Sequence, residues 1–491
     1  MRQRANASFK RGLFLVLLLI VVVSLSLIIN FSKDDSSVKE KIEELSVDNG
    51  DEKINWNRYA PVNINLTGSY KITKSGVYHL TGNINDGAIT IDINKQDVVK
   101  LVLDNVTIKN SSGPAIMCLD GEDLVIELIG DNELIDGETY SSISDEDIVG
   151  AIYSKADLTF VGDGTLNLKG NFEDGIISKD DLKIKSGTYN IETKDEAIRG
   201  KDSLYIAGGT FDIKTGGKGL KSPNYILIEA GTFDINSYDD AIHSDNYIGI
   251  LNGDISISSG DDGIHADSEL KIDGGVITIT KSYEALEAKK VTINDGKMTL
   301  TASDDGINAG GGADESSFNR IGANHFDADM ECILSINGGE VYINAAGDGV
   351  DSNGSLYFNG GKVVIDGPTN NGNGALDSGL GIVMNGGEVI AVGSSGMAGN
   401  LGQSSRIYSI SVFFNEIKPA GTKIAIKDST GNTVMSHTSA KSFNHLAAGT
   451  EEFIPTQKYT IYINNNKYEE FTIANIVTTV GNTYDIMKQR R

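Results

Sequence analysis

The sequence is poor in cysteine, proline and basic residues, and these shortages exclude several classes of protein. Only 2 cysteines occur among 491 residues, which is too few for a scaffold held together by disulfides. The 6 prolines leave long stretches of chain free to form uninterrupted strands. The 68 Asp and Glu residues outnumber 42 Lys and Arg residues, and the net charge is -26. This balance argues against nucleic acid as a partner, because phosphate binding needs clustered positive charge, and it suits metal cations.

One long hydrophobic run stands near the N-terminus. Residues 12–31 are uncharged and follow a basic tail at 1–11, so they predict a transmembrane helix that crosses about 30 Å of hydrocarbon. Positive charge before the span places the N-terminus inside the cell and the bulk of the chain outside. We therefore expect a signal anchor at 12–31, a polar stalk at 32–58 and a cell-membrane location with extracellular C-terminal bulk. Cleavage of the signal would instead make the protein secreted.

A glycine recurs every 21 or 22 residues through the middle of the chain. Each step contains three short apolar alternations, and alternation with period two is typical of half-buried strands. Three strands per step, joined by glycine turns, predict an all-β fold: a right-handed parallel β-helix of about 12 coils of about 22 residues. The repeating glycines are Gly187, Gly209, Gly231, Gly253, Gly275 and Gly296.

The repeat also sets the domain boundaries. We expect the β-helix to span 59–405, with one insertion between Gly310 and Cys332. The pattern changes after Arg406, which predicts a small C-terminal β cap domain at 406–491 over the open end of the helix. A solenoid is one elongated unit, and we expect a monomer.

Acidic residues precede the third strand of most coils at a fixed position. Stacked unit charges about 4.8 Å apart repel by about 1 kcal/mol in water and about 3–4 kcal/mol at an effective dielectric of 20. A partly buried set therefore favours a compensating cation, and carboxylate oxygens are the ligands that Ca²⁺ prefers. The alternative is that each Asp accepts hydrogen bonds from turn amides of its own coil. The candidate calcium ligands are Asp239, Asp240, Asp261, Asp262, Glu284, Asp304, Asp305 and Asp348.

Several motifs together resemble a known family. They are an opening segment with Ser112 to Ile116 and Asp120 to Leu124, repeated Asp-Asp-Gly-Ile-His/Asn coils and a β tail. The chain resembles the carbohydrate-binding parallel β-helix family of bacterial surface proteins that bind cellulose and pectin. This resemblance implies a pectate-lyase-like fold, Ca²⁺ in the coil corners, and binding rather than cleavage of polysaccharide. The acidic pair is broken at Gly217-Lys218, where Lys218 could neutralise its neighbours, and at Tyr283-Glu284.

Four tyrosines are candidates for carbohydrate binding. An exposed tyrosine offers an apolar ring and a hydroxyl, which suit a sugar ring. Tyr225 and Tyr247 are 22 residues apart and are expected to stack, while Tyr205 and Tyr357 occupy outward positions between inward apolar residues. The alternative is that these rings only cover strand edges.

Two other functions fit the same sequence. A calcium-dependent, pectate-lyase-like polysaccharide lyase would need a cation to neutralise the uronate and a basic group to take a proton. Arg199 is the only Arg beside the acidic residues and is the candidate base. The chain could also be a cell-surface spacer or adhesin with no affinity for sugars. Our expectation is a binding protein without catalytic residues.

Overall fold

The computed structural model describes residues 54–481 except for 142, 144 and 311–327. The expected basic tail at 1–11, the transmembrane helix at 12–31 and the stalk as far as residue 53 lie outside these residues, as does most of the predicted insertion. No helix in the described part of the chain is long and apolar enough to cross a membrane. The regular structure between 54 and 481, as described, consists of strands and one short 3-10 turn, Trp56–Arg58.

The predicted parallel β-helix is confirmed, with about 14 turns rather than 12. Its strands form three parallel ladders, named here in the order in which a typical coil visits them. The first ladder holds the apolar pairs typified by Leu182 and Ile184. Its strands are Val62–Leu66, Gly76–Ile84, Val98–Lys109, Asp123–Ile129, Asp157–Val161, Asp181–Ile184, Ser203–Ile206, Tyr225–Ile228, Tyr247–Ile250, Ile264–Ile272, Leu286–Ile293, Ile333–Ile336, Ser355–Phe358 and Gly381–Met384.

The second ladder holds the aromatic and aliphatic pairs typified by Phe211 and Ile213. The ends of Gly76–Ile84 and Val98–Lys109 begin it, because these two long strands pass through the corner between ladders. Its remaining strands are Asp131–Ile135, Thr165–Gly170, Thr188–Thr193, Thr210–Thr215, Thr232–Ser237, Asp254–Ser258, Val276–Lys281, Lys297–Ala302, Glu340–Ala345, Lys362–Asp366 and Glu388–Gly393.

The third ladder is built from shorter strands and carries the candidate site. The starts of Ile264–Ile272 and Leu286–Ile293 belong to it, because in these coils one strand serves both the third and the first ladder. Its other strands are Tyr70–Ile72, Ile89–Asp92, Ile116–Asp120, Gly150–Ser154, Asp174–Ser178, Ile198–Gly200, Leu220–Ser222, Ile242–Ser244, Ile307–Ala309 and Val350–Ser352.

The repeating glycines form the turn before the second ladder, as predicted. All six have positive φ, from 93° at Gly275 to 140° at Gly253, a conformation that costs glycine little. Their carbonyls accept hydrogen bonds from the coil that follows: Thr210 N lies 2.9 Å from Gly187 O, and Thr232 N lies 2.9 Å from Gly209 O. The line of turns therefore continues the hydrogen-bond ladder around the corner.

Apolar side chains from all three ladders form one continuous core. In the second ladder the rings of Tyr189, Phe211 and Phe233 are buried and stacked, with centroid distances of 4.9 and 4.7 Å. Such offset stacking adds to the gain from burying apolar surface. Cys118 and Cys332 are free and buried, so they behave as small apolar residues.

Residues 407–481 also form β structure, while the last ten residues of the predicted cap domain, 482–491, lie outside the described residues. Phe443–Thr450 pairs antiparallel with Glu388–Gly393, the last strand of the second ladder, and with Ser409–Lys418, which pairs in parallel with Val477–Val480. Four further strands form a separate antiparallel sheet, in the order Thr433–Thr438, Lys423–Asp428, Lys458–Ile463 and Asn466–Thr472. A second apolar cluster packs between these strands.

Candidate functional site

Two rows of polar side chains run along the corner that leads into the third ladder. The first, called the acidic row here, lies two positions before the buried apolar residue of each coil. The second, called the outer row, directly follows that apolar residue. The acidic row contains Asp174, Glu196, Lys218, Asp240, Asp262, Glu284, Asp305 and Asp348. The outer row begins with the buried apolar residue Ile177 and continues with the polar residues Arg199, Lys221, His243, His265, Glu287, Asn308 and Asp351.

Hydrogen bonds between coils order the acidic row. Oδ1 of Asp240 accepts from the backbone N of Asp262 at 2.9 Å, and Oδ1 of Asp262 accepts from the backbone N of Glu284 at 2.9 Å. Asp305 does the same for Asp348 at 2.6 Å. The sequence suggested that each Asp could accept hydrogen bonds from turn amides of its own coil. In the structure, the amides that donate these hydrogen bonds belong to the next coil. This arrangement uses Oδ1 of each Asp and leaves Oδ2 available for other contacts, such as that of Asp240 with Lys218.

Basic side chains neutralise the lower half of the acidic row, from Asp174 to Asp240, whereas the upper half runs from Asp262 to Asp348. Nζ of Lys218 lies 2.7 Å from Oδ2 of Asp240 and 3.0 Å from Oδ1 of Asp239, so Lys218 does neutralise its neighbours. In the same coil as Lys218, Lys221 Nζ reaches back to the preceding coil and lies 2.6 Å from Glu196 Oε1. Lys218 therefore places a positive charge beside Asp239 and Asp240, two of the candidate calcium ligands.

Asp174 and Glu196 form a coupled carboxyl pair beside Arg199. The Arg199 guanidinium lies 2.9 Å from Asp174 and 3.7 Å from Glu196. Burial and the charge of Glu196 raise the pKa of Asp174 to about 9, despite the nearby guanidinium. Against the cost of burial, hydrogen bonds from Asp174 and Lys221 lower the pKa of Glu196 to about 2. The Arg199 guanidinium therefore contacts two carboxyl groups whose pKa values their surroundings shift in opposite directions.

The upper half of the acidic row faces no Lys or Arg within the described residues. Burial, followed by the charges of Asp348 and Asp304, raises the pKa of Asp305 to about 8. Burial likewise raises the pKa of Asp348 to about 7 and that of Asp351 to about 6. Carboxylate oxygens of Asp305, Asp348 and Asp351 all lie within 4.8 Å of one another. Without a cation, these carboxyls compete for protons.

Two buried oxygens and a glycine make this upper half fit an oxygen-liganded cation. Oε2 of Glu284 and Oδ1 of Asn308 have no hydrogen-bond partner in the described part of the chain. Both residues are only 8% exposed, so these oxygens are also shielded from water. A Cβ added to Gly347 would collide with Oδ1 of both Asp304 and Asp305. The residues present are the ligand types that Ca²⁺ prefers.

The other candidate calcium ligands divide between these two halves. Asp239, Asp240 and Asp261 have oxygens within 4.8 Å of one another, but Lys218 already contacts the first two. Burial and the charge of Asp262 raise the pKa of Asp261 to about 6. The sequence analysis did not predict Asp351 and Asn308 as candidate ligands. Both belong to the outer row, and their position directly after the buried apolar residue of the coil could have identified them.

Comparison with known proteins shows which family the middle of the chain matches. Residues 67–306 match the model of the family described as "Carbohydrate-binding domain-containing protein". Residues 67–306 belong to that family. A carbohydrate-binding domain-containing protein of Acetivibrio thermocellus is 40% identical over 126 residues, which are 25% of this chain and 44% of the relative. This chain therefore spans less than half the length of that relative.

A solved structure also matches the chain. The polysaccharide lyase-like protein from C. thermocellum, solved as a gadolinium derivative, is 32% identical, with a TM-score of 0.40. The match covers 45% of this chain and 97% of that one. The expected relationship to carbohydrate-binding β-helices is confirmed for the family segment, residues 67–306.

Two of the four tyrosines predicted to bind carbohydrate are buried. Tyr205 and Tyr247 are 5% and 3% exposed, so their expected exposure was wrong. The Tyr247 ring folds over Gly249, where an added Cβ would lie 3.0 Å from the ring and from Leu227. Tyr205 is paired in register with Leu227 of the next coil. Both rings thus pack against neighbouring side chains on the outer surface of the first ladder and are not available to a ligand.

The remaining two tyrosines are half-buried. Tyr225 is paired in register with Tyr247, but the rings are 6.5 Å apart and tilted by 49°, so they do not form a flat platform. Tyr357 occupies the first ladder between Ser335 and Val383.

A polar face lies on the outside of the second ladder within the family segment. Its side chains alternate with the buried core residues and are exposed in consecutive coils. Sequence reasoning overlooked this face because its residues are ordinary strand and turn types. A shallow cavity of about 260 Å³ lies on it, lined by residues that include Asn167, Lys169, Asn190, Glu192, Asp212 and Lys214.

Proposed function

We propose that this chain is an extracellular protein that binds cellulose- or pectin-type polysaccharides, is stabilised by Ca²⁺ and does not cleave its ligand. The observation that carries the proposal is the match of residues 67–306 to a carbohydrate-binding family. The hydrophobic segment 12–31 supports anchoring in the cell membrane with the β-helix outside. The monomeric state belongs to the proposal and follows from the solenoid being one elongated unit.

The polar face of the second ladder is the best-placed surface for the glycan. Asn190, Asp212 and Lys214 are exposed; Asn190 and Asp212 are in register in one row, Lys214 lies in the neighbouring row with Glu192, and both rows repeat at the coil spacing of about 4.8 Å. A regular row of donors and acceptors suits a polymer with repeating hydroxyls. Tyr225 and Tyr357, which are half-buried, remain candidates for contact with a sugar ring at a second place.

Calcium is proposed for the upper half of the acidic row. Asp305, Asp348 and Asp351 would supply carboxylate oxygens, and the unpartnered oxygens of Glu284 and Asn308 lie in the same two rows. When bound, the ion would replace the protons that these carboxyls otherwise hold. Its charge would also reduce repulsion between this acidic protein and a polyuronate.

The environment of Arg199 argues against lyase activity. A base must be free to take a proton from the substrate, whereas the Arg199 guanidinium contacts Asp174 and Glu196. A lyase remains the second candidate function. It would generate an unsaturated product whose ultraviolet absorbance grows when polygalacturonate and Ca²⁺ are supplied, and this growth would stop in Arg199→Ala.

The segment after Arg406 is proposed to cap the β-helix. Phe443–Thr450 pairs with the last strand of the second ladder, a position where an unpaired edge would otherwise recruit other chains. This role is structural and leaves the glycan surface open.

A panel of insoluble glycans tests the proposal. The full chain should be retained on cellulose or pectic material, and replacing Asn190, Asp212 and Lys214 by Ala should reduce retention. Replacing exposed Lys423 and Glu470 of the C-terminal sheet by Ala is the matched control and should leave retention unchanged. A chain that is retained on no glycan would favour the spacer or adhesin function instead.

A further inference from the structure

His265 is a buried histidine surrounded by carboxylates from three coils. Its side chain is on the outer row, and the residue is 1% exposed. Nδ1 lies 3.3 Å from Oδ2 of Asp262 in its own coil and 3.4 Å from Oε2 of Glu287 in the next coil. Oδ2 of Asp240, one coil before, is farther away at 3.9 Å. Two carboxylate oxygens therefore converge on one imidazole nitrogen.

These separations are too long for charge-assisted hydrogen bonds, which typically measure about 2.7–2.9 Å. Neither ring nitrogen of His265 has a hydrogen-bond partner among the described residues. His243, the preceding residue of the outer row, differs: Nδ1 lies 2.8 Å from Asp240 and Nε2 lies 3.0 Å from Asp245. A buried polar group without a partner is costly, so the arrangement around His265 calls for another atom.

The spacing matches a tetrahedral metal ion. Ligand atoms bonded to such an ion at about 2.0–2.1 Å lie about 3.3–3.4 Å apart. Nδ1 of His265 has this separation from both Asp262 and Glu287, and the three ligand atoms lie within 4.8 Å of one another. An ion placed between these three atoms would supply the partner that hydrogen bonding does not give to the His265 imidazole.

We propose that His265, Asp262 and Glu287 bind a divalent transition-metal ion of the Zn²⁺ type. Imidazole nitrogen suits Zn²⁺ and related ions, whereas Ca²⁺ takes oxygen ligands, so this site differs in chemistry from the calcium site proposed around Asp305. The ion would join two consecutive coils, because Glu287 follows the coil of Asp262 and His265.

Asp267 completes the environment that a metal-bound histidine usually has. Its Oδ1 lies 3.3 Å from Nε2 of His265, the nitrogen on the far side of the ring. A carboxylate in this position orients the imidazole and increases its basicity toward a metal. The competing arrangement is a protonated His265 that forms only ion pairs. Burial lowers the pKa of His265, but the carboxylates of Asp262 and Asp267 and the charge of Glu287 raise it to about 11.

Metal analysis of the full chain tests this site. The protein is stripped with chelator, dialysed against excess Ca²⁺ with a low concentration of Zn²⁺, and analysed for bound zinc. We expect one zinc per chain at this site in the presence of Ca²⁺, and visible absorption of tetrahedral type when Co²⁺ replaces Zn²⁺. The substitutions His265→Gln and Glu287→Gln should each weaken binding at least about 10-fold, as loss of even an outer metal-site partner does.

His243→Gln is the matched control, because it removes the neighbouring imidazole but none of the three ligands. It should retain the zinc and the Co²⁺ spectrum. Thermal unfolding of each metal-free variant checks folding, and Glu287→Gln carries the test if His265→Gln does not fold. Zinc that is absent, that Ca²⁺ displaces or that survives both ligand substitutions would overturn the site and leave the protonated ion pair. Glycan retention is measured separately and does not depend on this result.

Discussion

Lys218 donates a hydrogen bond from Nζ to Oδ2 of Asp240 in the next coil, at a distance of 2.7 Å. Lys218 stands in the acidic row where most coils have a carboxylate, and both residues are buried. A lysine in this register thus supplies the positive charge that the lower half of the row requires. The relationship separates a half of the row that basic side chains neutralise from a half that no described Lys or Arg contacts.

Replacing Lys218 by Met should therefore destabilise the protein strongly. Removing one member of a buried ion pair leaves the other charge uncompensated, which typically costs about 3–5 kcal/mol in the free energy of unfolding. Urea unfolding of the two proteins measures this loss. Lys214→Met is the matched control, since the Lys214 side chain is 68% exposed and should change stability by less than about 0.5 kcal/mol. Equal effects of the two substitutions would contradict the importance of the buried pair.

Calcium should stabilise the chain through the upper half of the acidic row. A ligand that binds only the folded state stabilises by about 2.7 kcal/mol at 100 times its dissociation constant. Chelator should lower the melting temperature of the wild type, and Asp305→Asn combined with Asp348→Asn should shrink that shift. Asp234→Asn, on the exposed face of the second ladder, is the control. Identical melting in Ca²⁺ and in chelator would leave only the hydrogen bonds between coils.

Much of this architecture follows from the sequence. The spacing of 22 residues between Phe211 and Phe233 fixed their register, and their rings stack as the repeat requires. The same spacing placed Asp240 and Asp262 in one row. Spacing does not determine which way a side chain turns, so the folding of Tyr247 over Gly249 could not be predicted. Spacing also could not predict that the acidic row accepts hydrogen bonds from amides of the next coil rather than from amides of the same coil.

His445 should make stability depend on pH. Burial lowers its pKa to about 4, below the usual value of 6.5, and it is hydrogen bonded to Ser411. A depressed histidine pKa means that the unfolded chain binds the proton first. The stabilising contribution is therefore complete above about pH 6.5 and is lost as the pH falls toward 4, on the order of 3 kcal/mol.

The pH dependence is measured as the difference in unfolding free energy between wild type and His445→Gln from pH 7 to pH 4.5. The wild type should lose more stability than the variant over this range. Parallel curves for the two proteins would show that His445 does not carry this dependence.

Asp366 should tie the C-terminal strands to the β-helix. It is 0% exposed and accepts hydrogen bonds from Tyr342 in the second ladder and from His437, Ser439 and Ala440 beyond it. Asp366→Ala leaves these donors unsatisfied and should destabilise the protein by a few kcal/mol, about 1–3 for each buried donor left without a partner. Hydrogen exchange should then increase first in the strands after Arg406. Asp428→Ala, in an exposed turn of the same region, is the control.

Binding of polysaccharide without cleavage is the central claim, and one incubation tests both parts of it. The full chain is mixed with cellulose and with polygalacturonate in Ca²⁺, and the bound protein and the length of the glycan chains are measured after prolonged contact. We predict that the protein is retained by at least one of the two glycans and that the glycan lengths stay unchanged. Shortened glycan, or failure to be retained by either polymer, would contradict the account.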